Sequence, residues 1–350
     1  MESIYYVLTW LCHRKCVHCY DDRFRPYYGG ELQAVIEESR ANFPRVIENL
    51  PARMTYLDRQ DHMREKRGRI ILAGGEILLE PVRESVLYPA LRMIEEKYRG
   101  VGGVDRIIQT TGDVLNARIV DELLEFGVHM ISVSGLDAFH QGLESGQTRE
   151  ALQQKLVRLF ESRGMRAYEI ALPVRHGAAA SDEERTTPLY SFFGANPGTW
   201  IGKIWPRGRA FENGLSTADI EDNFCANWSG GIHFLEHRYN GSEVSIEPNG
   251  NVYPCCIKTR LPVGNLLEEP LDQILERHAS NPVYQAISAG EPQRMGLSQG
   301  WTVEHFRKKS ETRLPDGRLY RNLCVGCDAF HQEVLLRSSD LVNITSASRA

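Results

Sequence analysis

Six short β-prone runs alternate with helix-length stretches through the first 206 residues of this 350-residue chain. The runs are Ile4–Trp10, Arg69–Ala73, Val104–Thr110, His129–Ser134, Arg166–Pro173 and Trp200–Trp205. Helical stretches are expected over Glu31–Leu50, Pro81–Tyr98, Ala117–Phe126 and Thr148–Arg163. Strands separated by helices of this length pair in parallel through right-handed crossovers. The pattern predicts an α/β fold, a partial (β/α)6 TIM-like barrel, with its reactive groups at the C-terminal strand ends. Pro51–Gly68 reads as an extension between the first helix and the second strand.

After Arg209 the alternation becomes irregular and cysteines reappear. A hairpin is signalled over Ser242–Tyr253, where Asn249-Gly250 between two alternating runs predicts a type I′ turn. The expected organisation is a barrel over 1–209 and a small cysteine-rich domain with a β-hairpin over 210–350.

Composition narrows the function classes. A net charge of −5, without a Lys/Arg-rich run, gives no basis for nucleic-acid binding. No apolar run reaches membrane-spanning length, and Met1-Glu2-Ser3-Ile4 does not open a signal peptide. A cytoplasmic location is expected, where thiols stay reduced, so the eight cysteines read as metal ligands rather than disulfides.

Three of them stand in Cys12-His13-Arg14-Lys15-Cys16-Val17-His18-Cys19, directly after the first strand run. Three thiolates on such a loop can hold three irons of a cubane cluster and leave the fourth open to an exogenous ligand. Zinc sites usually present CxxC pairs that fill four positions, which this triplet does not. On these residues the chain resembles the radical SAM superfamily, whose signature is this spacing of Cys12, Cys16 and Cys19. Relatives carry an aromatic residue before the last cysteine; here that position is His18, with Tyr20 just beyond. His18 or Tyr20 is the expected surface for adenine stacking.

The second strand run ends in Gly74-Gly75-Glu76. Two glycines allow a ligand close to the backbone, and a carboxylate can bind an ammonium group. The segment resembles the family's second motif, which holds the amino group of S-adenosylmethionine. Gln109-Thr110-Thr111-Gly112 resembles the turn after the third strand, and Ser134-Gly135-Leu136-Asp137 resembles a fourth-strand Ser-Leu-Asp-Gly pattern with Gly135 intruding. The resemblance makes Thr110 and Ser134 candidate cofactor-binding residues. It makes Asp137, His140 and Arg209 candidate catalytic ones, Arg209 as a carboxylate anchor or a bridge between domains.

Cys225, Cys255, Cys324 and Cys327 could supply four thiolates for one further cluster, with Cys256 as the spare. This layout resembles the SPASM/twitch extension of radical SAM enzymes, in its single-cluster form because no cysteine follows Cys327. A zinc ribbon on the same four ligands is the alternative.

The resemblance implies two [4Fe-4S] clusters, one binding S-adenosylmethionine, and a flavodoxin- or ferredoxin-type electron donor. It implies reductive cleavage to a 5′-deoxyadenosyl radical, hydrogen abstraction from substrate, and electron transfer by the auxiliary cluster. A net two-electron oxidation is the expected outcome, with epimerisation or decarboxylation as other outcomes of the same chemistry. Because the first strand begins at Ile4, no leader-binding module is expected ahead of it. A small molecule of sugar, aminoglycoside-like or nucleoside type is therefore the expected substrate. Modification of a peptide or protein is the alternative, and a non-catalytic metal-binding scaffold is a second one.

Overall fold

A computed structural model describes residues 1–57, 65–168, 187–196, 200–229 and 243–337. Strand β1 (Ser3–Thr9) leads through a long loop to helix α1 (Gly29–Glu48). The extension forms a small antiparallel pair, β2 (Thr55–Leu57) with β3 (Glu65–Arg67), before β4 (Arg69–Gly74). A helical run from Glu80 ends in α2 (Tyr88–Tyr98), and β5 (Asp105–Thr110), α3 (Ala117–Glu125), β6 (Met130–Val133) and α4 (Gly146–Glu161) follow. The side chains of Asn116 and Ser145 accept the backbone N–H groups of Ile119 and Thr148, fixing where α3 and α4 begin.

β1, β4, β5 and β6 lie side by side in parallel, as the alternation requires. Successive side chains of a strand point to opposite faces. Ile4, Tyr6 and Leu8 accordingly join Val46 and Ile47 of α1 in the main core, while Val7 packs with Trp10 and Phe24 on the other face. Each fully buried aliphatic side chain of this kind contributes about 1.5–3 kcal/mol.

The far half of the sheet departs from the expected order. The strand beside β6 is β8 (Leu189–Gly194), a run the sequence reading passed over, and β7 (Arg166–Ala167) lies outside it. Tyr168 still bonds to the Tyr190 carbonyl, and the rest of the expected Arg166–Pro173 strand, from residue 169, falls outside the described residues. β9 covers only Trp200–Ile201, because Ile201 and Gly202 adopt left-handed φ of 76° and 60° and turn the chain out of the sheet.

At the opposite edge β10 (Glu243–Ile246) runs parallel to β1, followed by β11 (Asn251–Tyr253) and β12 (Gly264–Asn265) in antiparallel register. The full order is β12-β11-β10-β1-β4-β5-β6-β8-β7, with β9 on β8. The fold is mixed α/β around one large, mostly parallel sheet. That sheet continues past the point where the sequence pattern changes. The turn between β10 and β11 is not type I′, which needs left-handed φ at both central residues. Only Gly250 is left-handed, at 81°, and its N–H bonds to the Glu247 carbonyl. Glu247 pairs with Asn251, so this is a three-residue loop closed by a glycine.

Glu243 opens β10 opposite Ser3 and is buried near Arg69 and Glu2. Burial pushes its carboxyl up to about 7, against the pull of Ser3 and Arg69. The folded state therefore holds a proton that the unfolded chain releases near pH 4.5, and the contribution of this site to stability falls as pH rises from about 4.5 to 7. Glu243→Gln removes that slope. Thermal unfolding is expected to show variant and wild type alike near pH 4.5, with the variant gaining about 2–3 kcal/mol by pH 8. Identical pH profiles would contradict the assignment.

Candidate metal centres and SAM site

The cysteine triplet occupies the loop at the C-terminal end of β1. Cys12 and Cys16 are buried, and Cys19 is nearly so. Backbone N–H groups already point at two of the sulfurs: Arg14 N–H at Cys12 Sγ and Gln141 N–H at Cys16 Sγ, each at 3.4 Å. Burial pushes the Cys12 and Cys19 thiols up to about 12 and 11, so their thiolate forms need a positive centre beside them.

Neighbouring strand ends hold this loop from three sides. Helix α5 (Gly208–Glu212) presses its start against it, since a Cβ on Gly208 would stand 2.7 Å from the Tyr20 carbonyl. The buried Arg209 guanidinium donates to the carbonyls of Cys16 (2.9 Å), Asp22 (3.1 Å) and Phe24 (2.9 Å). Asn213 donates to the Val17 carbonyl at 2.9 Å. From β6, the Gln141 side chain accepts the Lys15 N–H at 2.9 Å. From β5, Asp113 binds His13 at 2.8 Å and Arg14 at 2.7 Å. Arg209 thus acts as the clamp of the cysteine loop, with its guanidinium committed to main-chain carbonyls. Gln141, Asp113 and Asn213 carried no sequence signal; nothing in their local pattern points at a loop more than 95 residues away.

The Gly74-Gly75-Glu76 turn lies against the same loop. A Cβ on Gly75 would stand 2.1 Å from the Leu11 carbonyl oxygen and 2.8 Å from Cys12 N, so that glycine makes room for the chain's own backbone. Glu76 is fully buried. Its carboxylate accepts the Thr111 N–H and hydroxyl, both at 2.8 Å, the Thr110 hydroxyl at 2.9 Å and the Leu78 N–H at 3.1 Å. These donors occupy the lone pairs that the sequence reading assigned to an ammonium group. Burial raises the Glu76 carboxyl and the donors oppose it. Thr110 spends its hydroxyl on Glu76, and Ser134 directs its own at the Thr110 carbonyl, 3.3 Å away.

Asp137 and His140 follow β6 and meet His18. Asp137 Oδ1 lies 2.8 Å from His140 Nδ1 and accepts the Phe139 N–H at 3.0 Å; Oδ2 accepts the Ala195 N–H at 3.1 Å. Burial alone would raise this carboxyl, but the His140 hydrogen bond and charge hold it at about 2. The His18 ring packs edge-on against His140 with centroids 4.5 Å apart, and its Nδ1 is buried without a partner. Tyr20 turns the other way, toward Tyr5 and Phe24, so of the two candidates for adenine stacking His18 is the one beside the β6 loop.

The second cysteine set gathers from three segments. Cys225 lies in α6 (Phe224–Trp228), Cys255 follows β11, and Cys324 and Cys327 lie in α7 (Leu323–Phe330). Asn322 caps α7 by accepting the Cys324 N–H at 2.8 Å. Burial pushes Cys225 and Cys327 well above their usual range and Cys324 up to about 11; Cys225 also feels Cys255 and Cys324. Cys256, packed beside Cys255, also has Glu243, Lys258, Tyr5 and Tyr20 as electrostatic neighbours. Arg207, two residues before the clamp, joins the segments: it donates to the Ile257 carbonyl at 3.1 Å and pairs with Asp328 at 2.8 Å.

The spacing of the sulfurs bears on which metal fits. Tetrahedral zinc with Zn–S near 2.3 Å brings its sulfurs to about 3.8 Å of one another. Among the described residues, only His18, Asp137 and His140 form a set with donor atoms within 4.8 Å; no three cysteines do. A cubane binds each thiolate to a different iron and holds them farther apart, so both sets fit a cluster better than one zinc ion.

Residues 238–328 match the SPASM family, an iron–sulfur cluster-binding domain. The C-terminal part of the chain carries a SPASM domain. The match contains Cys255, Cys256, Cys324 and Cys327, while Cys225 precedes it. Iron–sulfur cluster binding is the described property of that domain. Among solved structures the chain is similar to BtrN in complex with AdoMet and 2-DOIA, at 16% identity and a TM-score of 0.44, covering 83% of this chain and 88% of that one. It is similar to anSMEcpe with bound AdoMet and Cp18Cys peptide at 14% identity and a TM-score of 0.43, covering 98% and 99%. It is also similar to Streptococcus suis SuiB bound to precursor peptide SuiA, at 14% identity and a TM-score of 0.42, covering 82% and 66%. At these scores the likenesses say nothing about substrate. No curated protein matches the chain. No helix among the described residues is long and apolar enough to cross a membrane.

Iron analysis separates the two sets. Arg209→Ala is expected to lose about four irons, the N-terminal complement, and Cys225→Ala about four from the other site, whereas Cys256→Ala keeps the full content. Iron loss in Cys256→Ala together with retention in Cys225→Ala would reverse the ligand assignment.

Proposed function

We propose that this chain oxidises a small polar molecule, of sugar, aminoglycoside-like or nucleoside type, by two electrons. Cys12, Cys16 and Cys19 hold the SAM-binding cluster in this reading; Cys225, Cys255, Cys324 and Cys327 hold the auxiliary one. The observation that carries the substrate class is a cavity of about 260 Å³ reaching from Tyr20-Asp21, just after Cys19, to Asp328, just after Cys327. Its wall is charged: Arg23, Glu247, Lys258 and Arg260 line it. Lys258 is held there by a left-handed backbone, φ 65°, with its ammonium 2.8 Å from Asp21 and 3.0 Å from Glu247. At about 260 Å³ the cavity is smaller than the ~300–1,000 Å³ usual for ligand pockets and charged where those are mostly apolar, which favours a small hydrophilic molecule over an apolar one.

When bound, the cofactors supply a radical able to take a hydrogen atom from an unactivated C–H bond and an acceptor for one electron. For an alcohol carbon, loss of one hydrogen atom, one electron and the hydroxyl proton leaves a carbonyl. The chain's own contribution is position and proton handling. Gly74 and Gly75 shape the turn beside the cysteine loop, and Glu76 ties that turn to Thr110 and Thr111. Asp137 lies 2.8 Å from His140 Nδ1 and orients the ring, whose Nε2 is the atom left to exchange a proton with substrate. We assign the adenine-facing surface to His18 and proton acceptance to the adjoining Asp137–His140 pair, which stands at the β6 loop outside the lining of that cavity and serves a substrate that reaches across to it.

The test is 5′-deoxyadenosine formation by the anaerobically reconstituted enzyme with reductant, S-adenosylmethionine and a panel of sugars, aminoglycosides and nucleosides. Members of that panel are expected to stimulate turnover; stimulation by peptides alone would overturn the substrate class. With a stimulating compound, His140→Phe is expected to retain cleavage and lose product formation by about 10²-fold or more.

A further inference from the structure

Two buried N–H donors at the second cysteine set have no acceptor among the described residues. One is Trp205 Nε1, whose ring packs against the cluster of Cys255, Ile257 and Cys324. The other belongs to His331, which is 4% exposed and has neither ring nitrogen hydrogen-bonded. Burying such a group without a partner costs about 1–3 kcal/mol, so each calls for one.

Helix geometry aims His331 at the site. Its backbone N–H bonds to the Cys327 carbonyl, so α-helical phase persists to residue 331. His331 therefore lies one turn beyond Cys327 and two beyond Cys324, on one helix face. Side chains on a helix lean toward its N-terminus, here back over Cys327. Burial, with the charges of Arg207 and Arg260, pushes the imidazole down to about 4, so at neutral pH it carries a single N–H. Arg207 is also the cation that acts on Cys255, Cys324 and Cys327, which places ring and cysteines around one centre.

We propose that Trp205 and His331 donate hydrogen bonds to sulfurs of the auxiliary cluster and raise its reduction potential. This rests on the reading that Cys225, Cys255, Cys324 and Cys327 hold that cluster. Donors to cluster sulfurs offset negative charge, and the reduced state, carrying one more electron, gains most. The site is thereby made a better acceptor for the electron that substrate oxidation releases.

The test is a redox titration of the full-length holoenzyme, following the paramagnetic resonance signal that S-adenosylmethionine does not perturb. His331→Phe and Trp205→Phe are each expected to shift the midpoint to more negative potential with iron content unchanged. His331→Gln, which keeps an N–H, is expected to stay near wild type. Unchanged midpoints in both Phe variants overturn the proposal. So does iron loss in both His331 variants, which would make the residue a ligand. In wild-type protein with ¹⁵N-labelled histidine, spin-echo modulation is expected to show a weak nitrogen coupling at the reduced auxiliary cluster; no coupling, or the strong one of a bound nitrogen, also overturns it. A wild-type protein without any SAM-insensitive cluster signal would instead refute the four-cysteine reading.

Discussion

The structure depends on one buried guanidinium. The loop that presents Cys12, Cys16 and Cys19 is neither helix nor strand, so its carbonyls lack the partners that secondary structure supplies. Arg209 meets three of them, at Cys16, Asp22 and Phe24, with the rigid fork that only arginine offers. A lysine could reach one or two of these but not hold all three in a fixed plane. The thiols are thereby held by rigid elements around them: α5 from one side, the β5 and β6 loops from the others.

The same segment organises the second site. Arg207 and Arg209 flank Gly208, and one serves each cysteine set. Arg207 ties the residues after Cys255 to Asp328, which follows Cys327. The two metal sites are thus fixed relative to each other through five residues of α5 and its cap. Buried thiols resist ionisation, and the positive charges near them favour the thiolate that a cluster requires.

Much of this was legible in the sequence. Hydrophobic alternation located β1, β4, β5 and β6 to within a residue or two, because those strands are buried and regular. Cysteine spacing singled out both cysteine sets because it is a local, covalent pattern. Contacts that depend on distant residues were not legible. β8 replaced β7 beside β6, since register against β6 decides pairing and local β-propensity does not. Glu76 reads as a carboxylate for an ammonium group at the end of a strand; the threonines that enclose it come from the next strand and its turn. Arg209 reads as a carboxylate anchor or a bridge between domains until the loop carbonyls 185 or more residues away are seen around it.

The central claim is that three cysteines leave one iron open for S-adenosylmethionine while four close the second cluster. Electron paramagnetic resonance of the dithionite-reduced, reconstituted protein, recorded with and without S-adenosylmethionine, tests it most directly. The account expects two cluster signals, of which one changes on addition and the other does not. Two signals that both ignore S-adenosylmethionine, or a single signal with zinc bound in the second site, would contradict it.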